Sequence, residues 1–151
     1  PAPLGKKMAD ILGDVQGAKL EPEAGQGALA QYLGANATLV EVSPLHCDIL
    51  KQKGYENVVC ADFIKWSEST VKTALRFAGI LMNPPFSEGR ATAHLDAALS
   101  LLDNKGRLVA LVTTAMAERY SPVGYDKEIQ PIAYNEFKGV SVDLAILILN
   151  K

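Results

Sequence analysis

Hydrophobic and polar positions follow two rhythms along this chain: short apolar runs, and longer stretches with helical spacing between them. Leu4, Met8, Ile11 and Leu12 fall on one helical face; Pro3 stands just before the pattern and Gly13 ends it. Residues 14–17 read as a turn. Residues 18–20 read as a short strand running into Glu21-Pro22-Glu23-Ala24-Gly25-Gln26-Gly27. A helical pattern over 28–33 is stopped by Gly34 and Asn36, and 38–42 predicts a second strand. Ser43 as cap and Pro44 as first residue open a helix through about Lys53. Residues 57–61 predict a third strand ending at Asp62-Phe63, 67–76 a helix or partly ordered connection, and 79–82 a fourth strand. The clearest helix covers 91–102, with Leu95, Ala98, Leu99 and Leu102 on one side. Residues 103–106 read as a turn and 107–112 as a fifth, fully buried strand. Strands and helices alternate, which predicts an α/β fold: a mostly parallel sheet with helices on both faces. The end differs. Residues 129–136 and 141–149 are extended runs joined by Phe137-Lys138-Gly139-Val140, so a C-terminal antiparallel hairpin is expected. Residues 114–127 carry no clear element and are expected to form a mobile loop.

One stretch breaks the rhythm. Ile80-Leu81-Met82 runs into Asn83-Pro84-Pro85-Phe86. Neither a helix nor a central strand continues through Pro-Pro, so the chain stops there and holds Asn83 and Phe86 in a stiff, turned segment. That marks it as the reacting end of an enzyme.

Composition changes the picture only in places. At 151 residues, 48% hydrophobic and 21% charged, the chain is long enough for one domain, 1–151, with a real core. A formal net charge of −2 gives no electrostatic signature of a nucleic-acid binder, which either argues against a polynucleotide substrate or puts the gripping surface elsewhere. Cys47 and Cys60 are too few for a disulfide scaffold or a four-ligand zinc site; both read as buried thiols, and no metal is expected. Without a signal peptide or long apolar span the protein is expected to be cytoplasmic, off the membrane, and the start at Pro1 reads as processed or excised.

Gly25-Gln26-Gly27-Ala28-Leu29-Ala30 fits G-x-G-x-x-G/A between a strand and a helical pattern, a turn that lets a ligand approach the backbone at a helix N-terminus. Glu21, Glu41 and Asp62 close the first three strands, so three carboxylates reach one sheet edge, the edge where open α/β sheets bind ligands. Glu41 stands where a carboxylate accepts both hydroxyl protons of a ribose. Asp62 is placed to accept a proton from an adenine amino group, with Phe63 on the purine face. A nicotinamide dinucleotide fits less well, because Glu21-Pro22-Glu23 sets two negative charges where its pyrophosphate would lie. The same charges suit an ammonium or a sulfonium.

Together these motifs resemble the class I S-adenosylmethionine-dependent methyltransferases, a Rossmann-like fold, and within them the amino-methyltransferase branch. Glu21 to Gly27 resembles the family's first cofactor motif, and Asn83-Pro84-Pro85-Phe86 its catalytic Asn/Asp-Pro-Pro-Tyr/Phe tetrad. The resemblance covers nearly the whole chain and is closest to adenine-N6 DNA methyltransferases of bacteria, phages or plasmids. It implies S-adenosylmethionine as cofactor, with Gly25 and Gly27 at its amino-acid end, Glu21 near its ammonium, Glu41 on the ribose and Asp62 on the adenine. Pro3 and its helix resemble the segment covering the methionine end, and Asn83 also borders the cofactor. Family strand order implies a last strand antiparallel beside the fifth. Glu23 departs from the pattern, which has a small or apolar residue there; its charge either weakens cofactor binding or points outward.

The tetrad's chemistry explains its residues. An amine conjugated to a ring is a poor nucleophile; the Asn83 side-chain oxygen and the Pro84 carbonyl can each accept one N–H and free its lone pair. Pro84 and Pro85 fix these acceptors, and Phe86 can stack on the planar substrate. A base in a duplex must first be flipped out. The implied substrate is adenine N6 in DNA, ahead of RNA. Ribosomal RNA base amines, protein glutamine amides and an inactive cofactor-binding subunit of a heteromeric enzyme are the alternatives. Sequence readout falls to residues 114–127, with Arg119, Lys127, Tyr120 and Tyr125, or to a separate subunit or domain. His94 and His46 read as helix-face residues, and Arg90 as a phosphate contact or a solvated helix start.

Overall fold

In the computed structural model, which describes residues 2–133 and 142–151, the first helical stripe closes onto a sheet. Helix α1 (Ala2–Leu12) buries Leu4, Met8 and Leu12 and ends where Gly13 turns left-handed at φ +72. Strand β1 (Lys19–Glu21) enters the glycine turn. The helix expected over 28–33 is only a 3-10 turn, Ala30–Tyr32. Gly25 and Gly27 hold φ +53 and +92 before it and Gly34 φ +89 after it, leaving too few residues for an α-helix.

Strand β2 (Thr38–Glu41) leads to helix α2 (Pro44–Gln52), where the His46 N–H donates to the Ser43 cap oxygen as expected. After β3 (Asn57–Cys60), helix α3 (Phe63–Thr70) starts four residues before the expected position 67. Asp62 decides this, accepting the Lys65 N–H at 3.0 Å as N-cap. The chain beyond α3 is tied by the Arg76 guanidinium, which donates to the carbonyls of Val71, Thr73 and Leu75. Strand β4 (Phe77–Met82) and helix α4 (Glu88–Ser100) follow.

Strand β5 (Leu102–Thr113) absorbs the turn expected at 103–106. Pairing with β4 jumps from Phe77↔Leu102 to Gly79↔Arg107, and Lys105 adopts φ +61, so the turn chemistry makes a bulge within the strand. Residues 114–127, expected to be a loop, form helix α5 (Thr114–Arg119), capped by Thr113, and begin β6 (Asp126–Pro131). Strand β7 is Leu144–Asn150. The expected hairpin turn at 137–140 lies outside the described residues. Cys47 is buried as expected, but Cys60, last residue of edge strand β3, is exposed.

The seven strands form one sheet in the order β3-β2-β1-β4-β5-β7-β6. Pairs through β5 are parallel; β7 is antiparallel to both β5 and β6. Among the described residues β7 alone is therefore reversed, and β6 runs with the other strands although it pairs antiparallel with β7. Leu20, Val40, Ile80 and Met82 pack toward α3, α4 and α5, while Leu39, Leu81, Val109 and Ile146 pack toward α1 and α2. Such two-sided burial explains the continuous apolar runs of the inner strands.

Candidate active site

The register staggers the strand ends. Glu21 stands level with Leu39, two residues short of Glu41; Glu41 stands level with Cys60, two short of Asp62. Leu20 is level with Ile80, so Asn83 extends two residues beyond Glu21 on the neighbouring strand. The acids and the Asn-Pro-Pro-Phe segment thus share the carboxyl edge of four adjacent strands. Pro3, at the N-terminus of α1, is exposed. Two residues on, Gly5 packs against Leu29 and Tyr32, just past the glycine turn.

Glu41 organises the turn. Its Oε2 accepts the Gly25 N–H at 2.6 Å and its Oε1 accepts the Ser43 N–H at 2.8 Å. A residue only 8% exposed is thereby satisfied by backbone donors. A Cβ at Gly25 would meet nothing within 4 Å, so its need for glycine is conformational, at φ +53. Gly27, at φ +92, is in addition packed: a Cβ there would lie 3.1 Å from Leu50.

Glu21 is the least comfortable group in the fold. It is 2% exposed, and its Oε2 has no hydrogen-bond partner. Burial, with Glu23 nearby, pushes its carboxyl up to about 9, against a hydrogen bond from the Ala30 backbone. Glu23 also has a buried Oε2 without a partner. Its Oε1 lies 2.5 Å from Nδ1 of His94, and the His94 ring packs on Phe63 with centroids 5.7 Å apart. Burial raises the Glu23 carboxyl while the His94 hydrogen bond opposes the rise. So Glu23 points inward to α4, and the outward alternative is excluded.

A small cleft of about 120 Å³ brings together Glu41, Asp62, Phe63, Pro85, Arg90 and His94. Asn83, Phe86 and the glycines lie outside its lining. Asn83 is exposed, Pro84 buried, and the Phe86 ring 40% exposed, free to meet a planar ligand. Phe63, in contrast, is 3% exposed and stacked in the core against Trp66, which leaves little face for a purine. Asp62 is exposed, with Oδ1 engaged as helix cap.

Two expectations for substrate readout are overturned. Tyr120 is 8% exposed, its hydroxyl donating to Asp96 at 2.6 Å, so it cannot stack on a base. Lys127 turns inward, its Nζ donating to the carbonyls of Ala117, Glu118 and Tyr120 and to Ser121 Oγ. Tyr125 is tied through its hydroxyl to the Leu99 carbonyl. Conversely, His94 gains importance. Ala91, His94, Leu95 and Ala98 follow i, i+3, i+4, i+7, a spacing that puts His94 on the inward stripe. His46, on the first turn of α2, has Nδ1 3.8 Å from Glu41 Oε1. Among the described residues no helix is long and apolar enough to cross a membrane.

No protein-family model and no curated protein matches the chain. Solved structures do. TrmN from Thermus thermophilus superposes at TM-score 0.78 and 18% identity, over 99% of this chain and 48% of its own. The EcoKI M protein, of a Type I restriction enzyme, superposes at 0.81 and 13% identity, over 100% of this chain and 43% of its own. An rRNA methylase from Streptococcus thermophilus superposes at 0.67 and 13%, over 98% and 93%. This chain has the class I methyltransferase fold. It spans about half the length of the first and second of these structures and nearly all of the third. The methyltransferase fold includes the reversed strand beside the fifth that the resemblance implies, here β7.

Proposed function

We propose that the protein transfers a methyl group from S-adenosylmethionine to a planar exocyclic amine of a nucleobase. One juxtaposition carries this reading: a buried Glu21 carboxyl on β1, its Oε2 without a partner, beside the Asn83-Pro84-Pro85-Phe86 segment at the end of β4. A buried carboxyl whose proton is held by desolvation, with one oxygen idle, is the complement of a cation such as the methionine ammonium, whose arrival favours its ionised form. The left-handed backbone at Gly25 and Gly27 suits close approach of the amino-acid end, and Glu41, already facing that turn, suits the ribose. The residues therefore fit the cofactor, which when bound supplies an electrophilic methyl on a sulfonium.

This chain's own residues do the rest. The Asn83 carboxamide oxygen and the Pro84 carbonyl accept the two N–H groups of the amine and turn its lone pair toward the methyl. Pro84 and Pro85 hold both acceptors without reorganisation. Phe86 provides the exposed platform for the ring.

The choice of nucleic acid is finer. The restriction-enzyme M protein supports adenine N6 in DNA, the narrower reading of the tetrad. The rRNA methylase, matched over nearly its whole length, supports an RNA base amine. With Tyr120 buried and the Lys127 Nζ occupied by acceptors of its own chain, residues 114–127 offer fewer groups to read a duplex, and we favour RNA. Transfer of labelled methyl to unmethylated DNA, ribosomal RNA and a release factor, followed by nucleoside analysis, tests this. Asn83→Ala is expected to lower transfer by about a hundredfold or more, the scale of losing a transition-state hydrogen-bond partner. Equal labelling by wild type and Asn83→Ala would sink the mechanism. Labelled adenine in DNA alone would restore the narrower reading.

A further inference from the structure

We propose that Glu23 is a second countercharge for the cofactor, held in place by His94, and that it makes the chain prefer a sulfonium over the neutral thioether left after methyl transfer. The proposal rests on the cofactor reading above and concerns a residue that reading leaves without a role.

Glu23 follows Glu21 by two residues and lines one cleft with Glu41. It raises the neighbouring Glu21 carboxyl, and Glu41 in turn raises that of Glu23. The cofactor reading sets Glu21 at the methionine ammonium and Glu41 at the ribose. In S-adenosylmethionine the sulfonium is the atom joining those two parts. A carboxylate close to both acids is therefore close to the sulfonium. Glu23 lines the cleft with Glu41 and Pro85.

Its geometry also leaves it half used. Oε1 is taken by His94 Nδ1 at 2.5 Å, while Oε2 is buried and unpartnered. His94 is fixed from behind by Phe63, so the imidazole has one orientation to offer. With Glu23 ionised, Nδ1–H donates to Oε1 and aims the carboxylate, which makes His94 a positioning residue. A buried anion with an idle oxygen costs stability unless something cationic shares the site. The sulfonium has that charge, and S-adenosylhomocysteine differs from S-adenosylmethionine only in lacking one methyl and the charge.

Calorimetric affinities for S-adenosylmethionine and S-adenosylhomocysteine decide the matter without reference to turnover. Glu23→Gln is expected to weaken S-adenosylmethionine by about tenfold, a modest charge–charge contribution, and S-adenosylhomocysteine by less than about twofold. Glu23→Asp keeps the charge and is expected to retain most of the preference. His94→Ala is expected to lose it, and His94→Asn, which keeps an N–H donor near the Nδ1 position, to recover part. If Glu23→Gln weakens both ligands equally, Glu23 merely braces α4 and the proposal is wrong while the cofactor reading stands. If wild type binds neither ligand, both fall.

Discussion

A carboxyl that is 2% exposed with one oxygen unpartnered works against its own fold, and Glu21 is in that position. Its carboxyl titrates near 9 in the folded chain against 4.5 for an ordinary glutamate. Between those values the folded chain keeps a proton that the unfolded chain has released. Stability contributed by this group is therefore full below about 4.5 and is lost as pH rises through about 9. Glu21→Gln is expected to flatten that decline and to stabilise the protein above neutral pH by about 1 kcal/mol or more, measured by thermal melts across pH. The same substitution is expected to abolish cofactor binding. In wild type, cofactor binding at neutral pH is expected to release a proton, seen as a buffer-dependent binding enthalpy. The residue was legible as a strand-ending acid; its discomfort was not, because burial depends on how distant parts of the chain close around the end of β1. Phe63 and Tyr120 misled for the same reason. Aromatic rings suit a stack on a base and a core equally, and only their neighbours choose.

At the scale of elements, the sequence was most readable where one short-range interaction sets a boundary, as Ser43 does for α2 and Gly13 for α1. It was least readable where a side chain reaches across. Residues 114–127 lack periodicity, yet Lys127 gathers three carbonyls and a hydroxyl and so fastens the end of α5 to β6. Lys127→Met is expected to cost about 1–2 kcal/mol, since it leaves those acceptors to water. Its effect on nucleic-acid affinity is expected to be small and nearly independent of salt, because Nζ is already held by four acceptors of its own chain. A steep loss in the salt dependence of binding, measured by titration at several ionic strengths, would return Lys127 to the substrate surface. Helix α3 gives the opposite lesson: an acid at a strand end reads equally as a helix cap or a ligand group, and capping is what Asp62 Oδ1 does here.

Across the whole molecule, strand alternation disclosed the parallel sheet, and the two apolar runs at the end disclosed their pairing. Their order was also written in composition. Leu144 to Leu149 is buried throughout, the mark of an interior strand, whereas β6 alternates and contains Pro131, the mark of an edge. Strand β7 therefore wedges between two strands made before it. During synthesis β5 is complete long before its neighbour exists, and Leu108 to Val112 must wait with one flank of backbone donors and acceptors open. A chain halted at Asp143 is expected to clump or to be digested rapidly by protease, whereas the chain through Lys151 resists. The ribosome thus delivers β7 after both of the strands it joins, and any pause before it leaves a bare, adhesive border that chaperones must shield.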